Sequence, residues 1–170
     1  SSIQHDLNTL NNKETLKTAG IIAFLRAVDR TNEEMMDGIE KSFRISTDKF
    51  WACACQLHEL EMVDMYEDEV VRISDQVLST YLFYLAVFKE KVIDFSDILK
   101  TYFPKFRRKI ADSLNPVLSA FDQNALNNFM RPKIQKSWKE AVAENNQEYL
   151  LSLAGFFWSL LPTETLVFLK

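Results

Sequence analysis

The chain has 170 residues, 47% of them apolar, and a formal net charge of −4 at pH 7; such a composition can pack a core and argues against extensive disorder. Three glycines (Gly20, Gly38, Gly155) and four prolines (Pro104, Pro116, Pro132, Pro162) leave few positions for left-handed or sharply turned backbone, which favours helices joined by short connections. No apolar run approaches the ~18 residues of a membrane span, SSIQHDLN lacks a signal-peptide pattern, and Cys53 and Cys55, two apart on a helix, cannot bond to each other, so the chain reads as cytoplasmic and without disulfides.

Ile3, Leu7 and Leu10 are spaced as a short amphipathic helix closed by Asn11 and Asn12. A second helix starts near Lys13 and carries a broad apolar stripe through Leu16, Ala19, Ile22, Phe24, Leu25 and Val28. Thr31 and Glu34 have the spacing of a capping box and open a helix with Met35, Met36, Ile39 and Phe43. Ser46 or Thr47 caps the next, which runs to about Glu61 with Phe50, Cys53 or Ala54, Leu57 and Leu60 inward. The period then changes. MVDMY and EVVRIS alternate apolar and polar residues around Glu67-Asp68, which predicts a β-hairpin. Ser74 is expected to cap a long helix through Val77, Leu78, Tyr81, Leu82, Leu85 and Phe88. Three helices, a hairpin and a helix make a winged helix-turn-helix.

Beyond Lys89 only helical signals occur. Ser96 opens DILKTYF, Pro104 ends it, KFRRKIADSL follows, Asn115-Pro116 breaks again, and Pro132 fits a helix first turn. Residues 133–144 and 147–161 are predicted to form an antiparallel pair, with Ile134, Trp138 and Val142 facing Tyr149 or Leu150, Leu153, Phe157 and Leu160 or Leu161. The fold class expected is therefore mainly α: a winged-helix domain with an N-terminal helix over residues 1–95, then antiparallel helix pairs of an α-solenoid or bundle over residues 96–170. The opening Ser-Ser, and an apolar pattern still running in TETLVFLK, lead us to expect a piece cut from a longer protein.

Charge separates the functions open to such a fold. Residues 31–75 hold twelve acids and four bases (Lys41, Arg44, Lys49, Arg72), a net of −8, with Glu67-Asp68-Glu69 at the hairpin tip. Carboxylates at that tip would repel phosphate, so DNA is not an expected partner. The densest basic cluster is Lys105, Arg107, Arg108 and Lys109; a solvated helix face is its ordinary reading and an interaction patch its sharper one, with Phe106 read as core. Cys55 and His58 share a helical face, but nothing nearby completes a metal site, and none is expected. His5 and His58 are the only histidines, and no phosphate-binding loop or nucleophile motif occurs, so neither catalysis nor a cofactor is expected. Adjacent Phe156, Phe157 and Trp158 span more than one helix face, either sandwiched between helices or partly an interface. Trp51, about 100° round from Phe50, is either tucked beneath the hairpin or left exposed for a partner; the interface alternative gives Trp51→Ala a cost below about 1.5 kcal/mol.

IIAFLRAVDRTNEEM and ISTDKFWACACQLHELEMVDMYEDEVVRISDQVLSTYLFY, within residues 19–88, resemble the winged-helix domain that follows the ATPase core in STAND-class signal-transduction NTPases and related prokaryotic AAA-type ATPases. VVRISDQVLSTYL carries the resemblance best, at the passage from strand into helix. The resemblance implies a non-catalytic domain that packs on an upstream NTPase domain and moves with its nucleotide state, ahead of a helical repeat region that binds protein partners, in bacterial defence or signalling. Some STAND members place the histidine of a Met-His-Asp triplet on the nucleotide phosphates; the matching positions here are Ile73, Ser74 and Asp75. Ser74 and Asp75 are thus the nucleotide-sensing candidates, with Ser74 as N-cap and Asp75 as a first-turn acid their ordinary reading. A DNA-binding regulator and a freestanding helical interaction module are the other two classes.

Overall fold

Helix α1 (Lys13–Leu25) begins at Asn12, whose side chain accepts the amides of Glu14 and Thr15. In the computed structural model, which describes residues 8–164, every residue of α1 from Thr15 on except Lys17 is buried. The broad stripe read from sequence is in fact a helix enclosed on nearly all sides. Gly20 permits the closest approach: a Cβ there would collide with Ala86 and lie 2.8 Å from Ile93 Cδ1. The first predicted helix lies mostly outside the described residues, of which 8–10 are helical.

Arg26, at φ 73°, ends α1 and turns the chain into β1 (Ala27–Asp29). Then follow α2 (Glu33–Phe43), α3 (Thr47–Glu59), β2 (Asp64–Tyr66), β3 (Val70–Arg72) and α4 (Gln76–Tyr84). The strands form one antiparallel sheet in the order β1-β3-β2, with Val28 and Met65 both paired to Val71. Sequence reading missed β1, since three residues with one inward valine show no period. The hairpin is where MVDMY and EVVRIS place it. Its turn closes with the Glu69 amide donating to the Tyr66 carbonyl at 3.0 Å, and Glu67 and Asp68 both have positive φ.

Three caps differ from expectation by one or two residues. Asn32, not Thr31, caps α2 by accepting the Met35 amide, while the amide and hydroxyl of Thr31 both donate to Asp29 Oδ1, at 2.9 and 2.7 Å. Those two bonds hold the Asp29 carboxyl below the usual carboxylate range. Asp75 caps α4 in place of Ser74, and Asp94 caps α5 (Phe95–Thr101) in place of Ser96. In each case an Asx oxygen accepts the amide two or three residues on and satisfies a donor of the first turn. Helix α4 runs on into a π-turn (Leu85–Lys89), closed by the Glu90 amide on the Leu85 carbonyl, which turns four successive residues, Leu85 to Phe88, into the core.

Helices α6 (Phe103–Ala120), α7 (Gln123–Ala143) and α8 (Gln147–Phe157), with a 3-10 turn (Trp158–Leu160), complete the described chain. The breaks predicted at Asn115-Pro116 and before Pro132 do not occur, because both prolines lie inside helices. The distortion in α6 falls at Phe106 instead (φ −129°, ψ 43°). Helices α7 and α8 pack as the predicted pair, with Ile134, Trp138, Leu150, Leu153, Phe157 and Leu160 buried; Val142 is exposed, and Ala141 takes its inward place. The Tyr149 hydroxyl donates to the Leu99 carbonyl at 3.0 Å and ties α8 to α5; burial pushes its pKa up. Buried residues on both sides of position 95 belong to one hydrophobic cluster. No helix among the described residues is long and apolar enough to cross a membrane.

Candidate interaction surface

On α3 the buried positions are Phe50, Trp51, Cys53, Ala54 and Leu57, which leaves Asp48, Lys49, Ala52, Cys55, Gln56, His58 and Glu59 at the surface. Trp51 is 5% exposed. Its Nε1 donates to the Asp68 carbonyl at 3.2 Å, and the Arg30 guanidinium sits 5.7 Å above its ring. Of the two places expected for it, Trp51 takes the one beneath the hairpin, so its ring is part of this chain's own packing. The stability expectation tied to an exposed ring changes accordingly. His58 Nδ1 lies 3.1 Å from the Val63 carbonyl, and no cluster of metal-binding side chains occurs among the described residues.

The hairpin carries Asp64, Tyr66, Glu67, Asp68 and Glu69 on its exposed side, with Arg72 lying over the Tyr66 ring at 5.3 Å. Arg30 is occupied by Trp51 and by Asp48, 3.9 Å away. The face that would meet phosphate is thus mainly carboxylate, with Lys49 the lone cation on the exposed side of α3.

Ser74 Oγ donates to Asp64 Oδ2 at 2.6 Å, and Asp75 Oδ1 accepts the Leu78 amide at 2.9 Å. Both are exposed. Ser74 fastens the end of the hairpin and Asp75 starts α4, so the N-cap role read for Ser74 falls to Asp75.

The basic cluster divides. Lys109 Nζ donates to the Leu25 carbonyl at 3.0 Å, where it satisfies an acceptor at the C-terminus of α1. Lys105, Arg107 and Arg108 are exposed. Phe106, read as core, is 44% exposed, because the distorted backbone at that residue rotates it off the inward stripe; its ring touches Tyr102 with centroids 6.2 Å apart. The result is an aromatic side chain standing between cations.

An apolar groove lies between α4 and the end of α6. Gln76, Val77, Thr80 and Tyr81 form one wall and Pro116, Ala120 and Phe121 the other, around about 440 Å³. Val77 is 80% exposed and Tyr81 42% exposed. Stacking of Phe121 on Tyr84, with ring centroids 3.7 Å apart, fixes one end of the groove. Sequence reading put Val77 and Tyr81 on the inward stripe of α4. That stripe is Ser79, Leu82 and Phe83, and an apolar set too wide for one face was the available signal of a two-faced helix. The aromatic run on α8 also splits: Phe157 is buried, Phe156 packs edge-on against Phe103, and Trp158 is 64% exposed.

Compared with known proteins, the chain matches no family model, no curated relative and no solved structure. The likeness to STAND-class NTPases therefore rests on the residues that carry it.

Proposed function

We propose that this chain is a non-catalytic winged-helix and helical segment of a larger STAND-type NTPase, which relays movement between a nucleotide-binding domain and a sensor region by docking on protein. The order helix, strand, two helices, two strands and a helix, with the first strand beside the last, supports the winged-helix part of this reading. The observation that carries the docking role is the charge of the α3 and hairpin face. Its tip is three consecutive carboxylates, and its central tryptophan is already used inside the chain. A surface of that sign gains nothing from counterion release on DNA. Away from that face, exposed apolar side chains include Val77 and Tyr81 on α4 and Leu151 on α8, where a protein neighbour could cover them.

Two measurements test this reading. Fluorescence anisotropy with duplex DNA at about 150 mM salt is expected to show no binding; sub-micromolar binding, weakened by Lys49→Ala, would assign the DNA-regulator role instead. The encoding gene is expected to contain a phosphate-binding loop upstream of Ser1. A reading frame that starts at residue 1 would leave a freestanding module.

A further inference from the structure

The two exposed features of α6 are complementary to each other. Near its start stands Phe106, 44% exposed and flanked by the exposed cations Lys105, Arg107 and Arg108. Near its end lies the apolar groove of Val77, Tyr81, Pro116 and Phe121. Exposed carboxylates border that groove. Asp75 precedes its first lining residue, Asp122 follows its last, and Asp112 lies one turn before Pro116 and shares a small adjoining cavity with Gln76. Arg26, the cation beside them, is bonded to Gln76 and to the Asp112 carbonyl. An aromatic knob among bases and an apolar slot among acids thus lie ten to fourteen residues apart on one helix, roughly 15–21 Å along its axis.

We infer that the groove between α4 and α6 is filled by a second copy of this chain, whose Phe106 enters it while Lys105, Arg107 and Arg108 meet the carboxylates at its edge. A knob and a slot at opposite ends of one helix meet twice when two copies lie side by side and antiparallel. The contact is then isologous, and assembly stops at a two-fold dimer. Opposite charges at both ends favour the antiparallel arrangement and disfavour the parallel one, which would set like charges side by side. This inference is independent of the NTPase reading, since it uses neither the α3 face nor an upstream domain.

Sedimentation velocity of the full chain decides it. At about 100 µM protein and about 50 mM salt a dimer is expected, shifting toward monomer at about 500 mM salt. Phe106→Ala is expected to weaken dimerisation at least about tenfold while leaving the thermal midpoint nearly unchanged. Two reversed chains give the specific test. One carries Val77→Lys with Asp112→Lys; the other carries Lys105→Glu, Arg107→Glu and Arg108→Glu. Each alone is expected to be monomeric, and their equimolar mixture dimeric, because every knob then faces a slot of opposite charge. A wild-type monomer under the low-salt conditions overturns the inference. So does a dimer that folded Phe106→Ala leaves unchanged, or two folded reversed chains that stay monomeric when mixed.

Discussion

The guanidinium of Arg26 stands in for the amide that Pro116 lacks. Its Nη2 donates at 3.2 Å to the Asp112 carbonyl, the acceptor four residues before the proline, which an ordinary residue at 116 would bond from within the helix. Residues 86 apart in sequence are thereby joined, and α6 continues through a proline that sequence reading took for a break. Arg26→Ala is expected to destabilise the fold by about 1 kcal/mol, since the bond is charge-assisted but solvent-exposed. The same substitution in a Pro116→Ala background should cost less, because the helix then supplies its own donor. Denaturant titrations of the four chains give the coupling.

Trp51→Ala is expected to cost about 3–5 kcal/mol, as truncation of a buried tryptophan generally does. Trp51→Phe keeps most of the packing and loses only the bond to the exposed Asp68 residue, so about 1 kcal/mol is expected. Chemical denaturation separates the two. A cost near zero for Trp51→Ala would mean that the ring is not packed beneath the hairpin.

The hairpin turn asks two L-residues to hold positive φ, a conformation that asparagine and glycine adopt far more readily than glutamate and aspartate. Glu67→Asn with Asp68→Gly is therefore expected to stabilise the chain by about 1 kcal/mol, a rise in Tm of about 2–4 °C for a chain of this size. The bond from Trp51 is retained, since its acceptor is a backbone carbonyl. Calorimetry of the double variant checks the sign.

Asp94 and Asp97, three residues apart, are displaced in opposite directions. Burial pushes Asp94 up, but the Ser96 amide and the Lys133 ammonium, 3.4 Å away, outweigh it and hold the carboxyl below its ordinary 3.8. Burial, then the charge of Asp94, raises Asp97 above that value. A lowered carboxylate stabilises the fold above its ordinary pKa and loses that contribution as pH falls through the lowered one. A raised carboxylate destabilises at neutral pH and is relieved as pH falls through its raised value. Asp94→Asn, which keeps the capping oxygen, is expected to lower Tm at pH 7, and Asp97→Asn to raise it. The Asp97 difference should vanish once pH falls below the ordinary 3.8, and the Asp94 difference only as pH falls further through its lowered value, as melting curves taken from pH 7 down into strong acid would show.

What the sequence made legible follows from which forces act over a short stretch. The hairpin was placed by alternation, since Val63, Val71 and Ile73 must all point one way. The α7 and α8 pair was placed by Ile134, Trp138, Leu153 and Phe157 at helical spacing. What escaped depended on distant neighbours. Strand β1 exists because β3 lies beside it. Pro116 stays within α6 with Arg26 bonded to the carbonyl it leaves behind. The scarcity of glycine also misled. None of the three glycines has positive φ, whereas Arg26, Arg44, Glu61, Glu67, Asp68, Lys91 and Asn145 do, mostly at helix ends. Backbone bonds such as those from the Arg26 and Arg44 amides to the preceding turns offset the steric cost there. The groove was invisible for a related reason: exposure of Val77 and Tyr81 is set by where α6 stops short of covering α4.

Helix α1 has almost no side turned to water, and its neighbours are drawn from residues 27–120: α3 and the sheet on one hand, α4 and α6 on the other. Its amide protons can meet solvent only when all of these separate at once. They should accordingly be the last in the molecule to exchange with deuterium, at a free energy equal to that of complete unfolding, and the hairpin and α6 should melt together instead of in succession.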